Sequence, residues 1–209
     1  MKLILFSPSQ QANTEIGFLL NMFEQGLPAY HLKKANYSTK QLKKFIEDIP
    51  EKYHNRIVIH SHHELASKYE LKGVYLTRSH KKRKYSTWLR LQWLKFRKRS
   101  LEVSGTVRSI DSLMDYNPKY NYVFLSPVFD SVSGNSQAGY SPYNIQYALK
   151  HSKYQTIARG GVSIDNIEQA HNLGFAGVAF YSTIWKTKNP YHEFLKVKEK
   201  FKELNLPME

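Results

Sequence analysis

The sequence contains no cysteine among its 209 residues. Disulfide bonds, thiolate zinc sites and cysteine nucleophiles are therefore excluded. The chain also lacks long apolar runs, because the N-terminal run in MKLILF is too short for a signal-peptide core or a membrane span. We interpret that run as a first buried strand, and we expect a cytoplasmic protein with no membrane partner.

Several familiar catalytic motifs are missing as well. The chain has no GxGxxG, Walker, HExxH or GxSxG motif, which argues against a nucleotide-dependent enzyme and against a serine hydrolase. It has no Pro/Gly/Ser-rich linker, no low-complexity tract and no convincing internal repeat. With 41% hydrophobic residues, the sequence of residues 1–209 predicts one globular domain.

Acidic residues are absent from one long window. The formal net charge is +14, and residues 71–101 contain eleven Lys or Arg and no Asp or Glu. Within that window, the segment at about residues 80–100, HKKRKYSTWLRLQWLKFRKRS, places apolar residues between basic ones at helical spacing. The pattern predicts one basic amphipathic helix.

Two interpretations of this basic helix stay open. In the first, it is a solvated helix whose stripe of Trp88, Leu91, Trp93 and Leu94 packs on the domain. In the second, residues 71–101 form a surface for nucleic acid, anionic lipid or a polyphosphate, because clustered cations raise the local concentration of anions. We favour the first and do not expect nucleic acid as a partner, although the charge permits it.

The apolar residues that are present form a regular alternation. Eight short β-prone runs are separated by segments with helical periodicity, such as TEIGFLLNMFEQG. The runs are KLILF, AYHL, RIVIH, GVYL, LEVSGTV, NYVFL, QTIA and AGVAFY. Strands that alternate with helices pair in parallel, so the pattern predicts an α/β fold, a single (β/α)8 TIM barrel. A doubly wound open sheet is the alternative.

Two adjacent glycines, Gly160 and Gly161, follow the seventh predicted strand. At the carboxyl end of a barrel strand, missing side chains let an anion approach backbone N–H groups. The eighth strand brings Tyr181 and Ser182 to the same face, where barrels commonly bind phosphate. We therefore predict a phosphate site, in which Gly161→Val abolishes binding and leaves most of the fold intact. The alternative is a purely structural turn.

The cluster HSHH, His60 to His63, ends the third predicted strand. With His31 and His80 from neighbouring strand ends, three imidazoles could meet at the barrel mouth and bind Zn²⁺, Ni²⁺ or Fe²⁺. The other interpretation is a set of hydrogen-bonded lining residues, which we favour because no acidic ligand accompanies them. We therefore assign no metal ligand.

Four segments of the chain together resemble one protein family. They are YHLKK, RIVIHSHHELASKYELKGVYL, YVFLSPVFDSVS and ARGGVSIDNIEQAHNLGFAGVAFYSTIW. They are similar to landmarks of the thiamine phosphate synthase and thiazole tautomerase superfamily of (β/α)8 barrels. The resemblance implies that an aminopyrimidine diphosphate and a thiazole phosphate are joined with release of pyrophosphate, with Mg²⁺ on the diphosphate.

The resemblance also assigns positions to individual residues. His31 and Lys33 stand where the family has Gln and Arg, and His60 stands at the Asn of an Asn-Asp pair. Ser61 and His80 occupy the positions of the two acids that bind Mg²⁺. Hydroxyl and imidazole groups hold this hard ion poorly, so Mg²⁺ is implied by the family but lacks its expected ligands.

Further positions match in the second half of the chain. Ser126 begins the loop after the sixth strand, in which Ser131 and Ser133 stand for a Thr pair. Thr106 replaces a Ser of the fifth strand, and Arg108 stands where the tautomerase branch has a catalytic His. The implied catalytic candidates are Lys33, His60, Thr106 and Arg108. With the glycine turn, the candidates for binding substrate or phosphate are His31, Ser126, Ser131, Ser133, Gly160, Gly161, Tyr181 and Ser182.

Three functions remain open. The first is a thiamine-biosynthesis enzyme of the thiamine phosphate synthase type, a transferase in which both Mg²⁺ carboxylates are replaced. The second is a non-catalytic barrel that binds a phosphorylated small molecule, such as a thiazole phosphate or a thiamine phosphate-like ligand. The third is a binder of anionic surfaces or nucleic acid through residues 71–101. A homodimer is compatible with each of them.

Overall fold

Eight parallel strands close into a barrel in the computed structural model, which describes residues 1–9, 14–130 and 140–209. Each strand pairs with the next along the chain, and β8 pairs with β1 to close the sheet. The strands are β1 Lys2–Phe6, β2 Ala29–Leu32, β3 Ile57–Ile59, β4 Gly73–Leu76, β5 Glu102–Val107, β6 Tyr122–Leu125, β7 Gln155–Arg159 and β8 Gly177–Phe180. Each overlaps one of the eight apolar runs, so the predicted barrel is confirmed and the open-sheet alternative is wrong.

Helices cover the outside of the barrel. They are α1 Glu15–Glu24, α2 Thr39–Glu47, α3 Leu65–Lys68, α4 Arg78–Lys82, α5 Lys84–Arg97, α6 Pro142–His151, α7 Ile167–Asn172, α8 Ser182–Trp185 and α9 Pro190–Glu203. Short 3-10 turns occur at Glu51–Arg56 and Asp111–Leu113. At the start of α2, the Ser38 hydroxyl accepts from the Gln41 N–H while the Gln41 side chain accepts from the Ser38 N–H. Within the described residues, no helix has both the length and the apolar character needed to cross a membrane.

Alternation along the strands divides the core into two layers. On β1, Leu3 and Leu5 pack outward against the helices, whereas Ile4 and Phe6 point into the barrel. The residues that fill the interior are Ile4, Phe6, Ala29, Val58, Tyr75, Tyr122, Phe124, Ile157 and Ala179. The carboxyl ends of the strands lie at one end of this packed interior, and the loops there shape the site.

The basic segment folds as two helices rather than one. Arg83 separates α4 from α5 with a ψ of 62°, outside the helical region. On α5, Leu91 and Leu94 are buried, but Trp88 and Trp93 expose 54% and 49% of their surface. Successive helical residues are rotated by roughly 100°, so both Trp side chains fall outside the stripe that Leu91 and Leu94 share. The prediction of one continuous helix is therefore wrong. The predicted packing on the domain holds for Leu91 and Leu94 and is wrong for the two Trp side chains.

Candidate functional site

A cavity of about 1170 Å³ opens at the carboxyl ends of the strands. Residues that end or follow β2 to β7 line it, since the parallel strands of a barrel all end on one face. The lining side chains include Lys33, His60, Tyr75, Arg78, His80, Lys81, Thr106, Arg108, Ser126 and Arg159.

Positive charge dominates the wall of this cavity. Six lining residues are Lys or Arg, and no Asp or Glu lines it within the described part of the chain. Burial, and then repulsion from neighbouring cations, lowers the pKa of Lys33 and of Lys81. Burial also lowers the pKa of Arg159, whose guanidinium carbon lies 4.2 Å from the centre of the Phe6 ring. Cations held this closely favour binding of an anionic ligand, because an anion relieves the repulsion between them.

One cation of the wall is paired with a buried carboxylate. The Lys34 ammonium lies 2.6 Å from a Glu15 oxygen, and both side chains are fully buried. The ammonium also donates to the Pro8 carbonyl oxygen at 2.7 Å, and the Tyr30 hydroxyl donates to Glu15 at 2.7 Å. The pair holds the segment after β2 against α1, and so positions Lys33 at the cavity.

Two histidines and a tyrosine form a buried hydrogen-bonded chain below the cavity. His31 Nδ1 lies 3.1 Å from His60 Nε2, and His31 Nε2 lies 2.8 Å from the Tyr122 hydroxyl. Burial is the main cause that lowers the pKa of both imidazoles well below the ordinary value, and the Arg159 guanidinium adds to it. Both rings are therefore neutral at pH 7. His60 reaches the cavity, whereas His31 is 0% exposed and is not among the lining residues. A ligand contact of His31 stays a prediction.

Tyr75 and Lys81 fix the position of Thr106 on β5. The Tyr75 and Thr106 hydroxyls are 2.8 Å apart, and the Lys81 ammonium donates to the Thr106 carbonyl oxygen at 2.6 Å. Lys81 belongs to α4, which begins with a capping box between Thr77 and His80. The helix α4 thereby closes the cavity beside β4 and β5.

The side chains of the remaining histidines make contacts of their own. The rings of His63 and His80 pack with centroids 4.4 Å apart, and burial lowers the pKa of His63 to about 3. His62 Nδ1 instead lies 2.8 Å from the Thr39 hydroxyl. Across the described ranges, no group of three or more His, Cys, Asp or Glu is placed to hold a metal ion. The imidazoles are therefore distributed over separate hydrogen bonds and ring contacts.

The two adjacent glycines serve the packing of a neighbouring loop. Gly160 and Gly161 both have positive φ, 85° and 71°. A Cβ on Gly161 would lie 2.5 Å from the Asp130 carbonyl oxygen, and the Phe129 N–H donates to the Gly160 carbonyl oxygen. Glycine is therefore required here by conformation and by close backbone approach. The expectation that Gly161→Val leaves most of the fold intact is wrong for that reason.

The turns after β7 and β8 lie side by side. The Thr183 hydroxyl donates to the Val162 carbonyl oxygen at 2.6 Å, and β7 pairs in parallel register with β8. Tyr181 and Ser182 therefore lie on the same face as the glycine turn. Neither they nor the two glycines line the cavity itself. Phosphate binding at these turns stays a prediction.

The structure brings part of the predicted site together. The predicted residues that line the cavity are Lys33, His60, Thr106, Arg108 and Ser126. Ser131 and Ser133 lie outside the described residues. Three further lining residues were not predicted from the sequence: Tyr75, Lys81 and Arg159. Arg159 ends β7 and directly precedes the glycine pair, and that position was the available signal.

Comparison with known sequences identifies relatives of this barrel. A family model described as thiamine monophosphate synthase matches residues 3–184. Among curated proteins, a thiamine-phosphate synthase of Leptospira biflexa serovar Patoc is 26% identical over 88 residues, which are 42% of this chain and 42% of that protein. The chain thus matches less than half the length of that relative.

Two solved structures share the architecture. A thiamine phosphate pyrophosphorylase from Bacteroides thetaiotaomicron superposes with a TM-score of 0.76 at 24% identity, over 97% of this chain and 98% of that chain. One from Pyrococcus furiosus superposes with a TM-score of 0.73 at 14% identity, over 97% and 96%. At these identities the likeness shows the fold alone.

Proposed function

The chain belongs to the thiamine monophosphate synthase family, and we propose that its cavity binds a phosphorylated small molecule of the thiazole phosphate or thiamine phosphate type. One observation carries the proposal: besides Lys34, which is paired with Glu15, the wall holds five Lys or Arg and, among the described residues, no Asp or Glu. Such a wall attracts phosphate oxygens and repels metal cations. The volume of about 1170 Å³ accommodates a small molecule of that kind.

The ligand contacts follow from the positions of the lining residues. Lys33, Arg108 and Arg159 supply charge for phosphate oxygens. The Ser126 hydroxyl supplies a further donor, and His60 contributes a neutral imidazole to the same cavity wall.

A second phosphate position is the pair of turns after β7 and β8. Backbone N–H groups of Gly160 and Gly161 and the Ser182 hydroxyl are the donors that we assign to it, with Tyr181 contributing its backbone. Ser182→Ala tests this position better than a change at either glycine, because it removes a donor without altering the packed turn.

The donor set at the cavity does not fit Mg²⁺. Ser61 and His80 line the cavity at the family's acid positions and offer a hydroxyl and an imidazole. Mg²⁺ prefers carboxylate and phosphate oxygens, so no step is routed through the metal. In a turnover of the family type, the negative charge of the departing diphosphate has to be stabilised by Lys33, Arg108 and the neighbouring cations. Thr106 contributes a hydroxyl.

A binding screen tests the proposal. Thiazole phosphate, thiamine phosphate and the aminopyrimidine diphosphate are each added with and without Mg²⁺, and melting temperature and Kd are measured. We expect at least one of them to raise the melting temperature without Mg²⁺. Arg108→Gln should raise the Kd of that ligand by ~10-fold, because a charge-assisted contact is lost. Arg99→Gln removes an exposed cation outside the cavity wall and is the matched control. No thermal shift, or equal losses in the two variants, would contradict the proposal.

A non-catalytic phosphate binder is the second candidate, and the lack of carboxylates in the described wall favours it. Both candidates require binding, so they differ in turnover alone. Incubation with the two family substrates, followed by measurement of thiamine phosphate and pyrophosphate, separates them. Product formed by the unaltered chain supports the transferase, whereas binding without product supports the non-catalytic barrel.

A further inference from the structure

Helix α5 presents an apolar ridge to solvent. Tyr85, Leu89, Trp93 and Phe96 are 74%, 47%, 49% and 84% exposed. They are spaced by three or four residues, so they form one stripe along the helix, opposite its buried face. Exposed apolar side chains in a contiguous row mark an interaction surface.

Cations border this ridge on both sides. At roughly 100° of rotation per residue, Lys84 and Lys95 fall along one edge, and Arg90 and Arg97 fall along the other. No acidic residue occurs anywhere in residues 71–101. An apolar ridge between two rows of cations complements a surface that is anionic outside and apolar beneath.

We propose that α5 docks the protein on an anionic phospholipid membrane surface, with its apolar ridge entering the headgroup region. Tyr and Trp side chains are favoured at that depth, and the flanking Lys and Arg side chains reach the lipid phosphates. Docking of this kind is interfacial and involves no spanning segment. It departs from the expectation of no membrane partner, which the vesicle experiment below tests.

Two other occupants fit the ridge less well. A second copy of the chain would set its own cations against these, and like charges oppose that contact. Single-stranded nucleic acid is bound where successive bases each stack on an aromatic ring. Here Tyr85 and Trp88 stack on each other with centroids 6.3 Å apart, and the Arg97 guanidinium lies 5.8 Å from the centre of the Trp93 ring. Leu89, in the middle of the ridge, has no ring to stack.

The docking helix is braced against the cavity wall. The Thr87 hydroxyl donates to the His80 carbonyl oxygen at 2.8 Å, and His80 lines the cavity. Docking rests on α5 alone and is independent of the ligand proposed above.

Vesicle co-sedimentation of the full chain tests the proposal. We expect binding to vesicles of phosphatidylcholine with phosphatidylserine and little binding to phosphatidylcholine alone, with binding reduced by added salt. Emission from Trp93 should shift to the blue as its ring leaves water. Leu89→Gln/Phe96→Gln should weaken binding to the anionic vesicles by at least ~10-fold, because both side chains lose their apolar contact with the membrane.

Matched charge variants distinguish docking through α5 from nonspecific electrostatic binding of anionic vesicles by a basic protein. Lys84→Gln/Arg90→Gln removes two cations beside the ridge, whereas Lys40→Gln/Lys44→Gln removes two exposed cations of α2. Only the first should weaken binding by ~10-fold or more. Melting temperatures verify that each variant is folded.

Three results would overturn the docking proposal. They are unchanged binding of Leu89→Gln/Phe96→Gln, equal losses in the two charge variants, and absence of binding to the anionic vesicles, including the case in which the ridge binds a single-stranded oligonucleotide instead.

Discussion

The His60 imidazole stacks on the Tyr75 ring, with ring centroids 4.1 Å apart and an angle of 14° between the planes. Both rings line the cavity, and His60 continues the buried chain to His31 and Tyr122. The stacked pair therefore joins the ligand space to the interior of the barrel. A change at Tyr75 should affect stability and ligand binding together.

Two substitutions at Tyr75 distinguish the contribution of its ring to stability from that of its hydroxyl. Tyr75→Phe keeps the stack on His60 and loses the hydrogen bond to Thr106, so the free energy of unfolding should fall by ~1 kcal/mol. Tyr75→Ala also removes the ring, and the loss should be ~3 to 5 kcal/mol. Urea denaturation measures both. Equal losses would show that the stacked ring contributes nothing.

The buried ion pair should behave differently from an exposed one. Glu15→Gln removes the carboxylate that lies 2.6 Å from the fully buried Lys34 ammonium, and the free energy of unfolding should fall by ~3 to 5 kcal/mol. Glu15→Gln/Lys34→Met should recover a large part of that loss, because no uncompensated charge remains.

An exposed ion pair provides the control for this comparison. Glu199 and Lys202 are 61% and 80% exposed, so Glu199→Gln should change the free energy of unfolding by less than ~0.5 kcal/mol. A Glu15→Gln loss no larger than that of Glu199→Gln would contradict the role of the buried pair.

Stability should fall as the pH is lowered below the ordinary histidine range. Burial lowers the pKa of His63 from 6.5 to about 3, so the folded state stays neutral while the unfolded state binds a proton between these values. The stabilising contribution is complete above pH 6.5 and is lost as the pH falls towards 3. One such histidine contributes ~1.4 kcal/mol per pH unit, and His31 and His60 act in the same direction.

Denaturation measured from pH 7 to pH 4 checks this dependence. His63→Gln should reduce the slope by up to ~1.4 kcal/mol per pH unit, because one titrating group is removed. His171→Gln, which changes an exposed histidine of α7, is the matched control substitution. An unaltered slope in His63→Gln would refute the assignment.

Synthase turnover with Mg²⁺ should be absent or very weak in the unaltered chain. Ser61→Asp/His80→Asp restores carboxylates at two positions that line the cavity, so Mg²⁺ binding measured by calorimetry should appear or increase. Ser61→Asn/His80→Asn has similar size without the charge and should not bind the ion. Robust Mg²⁺-dependent formation of thiamine phosphate by the unaltered chain would show that the argument from the missing acids is wrong.

A methyl group should have opposite effects at two glycines. Gly161→Ala places a Cβ against the Asp130 carbonyl oxygen at a φ of 71°, and it should lower the free energy of unfolding by at least ~1 kcal/mol. Gly17 lies within α1, and no atom lies within 4 Å of a Cβ added there. Gly17→Ala should therefore raise the free energy of unfolding by ~0.5 to 1 kcal/mol. Thermal denaturation of the two variants gives the comparison, and a neutral Gly161→Ala would remove the packing explanation.

The sequence by itself determined the barrel and the face that carries the cavity. Alternation of apolar runs and helical segments is a local property, and parallel strands covered by helices require it. Because all strands of such a barrel end on one face, residues that end or follow separate runs, such as Lys33, Thr106 and Ser126, were predicted to meet there, and they do.

Only the tertiary structure decided which side chains reach the ligand space. His31 lies one layer below the cavity and Arg159 lines it, because side-chain direction at a strand end depends on tilt and register, which a short apolar run does not specify. Helix α5 carries two apolar stripes, and helical spacing alone could not tell which one would face the barrel. The requirement for glycine at Gly161 likewise comes from Asp130, a residue distant in sequence that the fold brings into backbone contact.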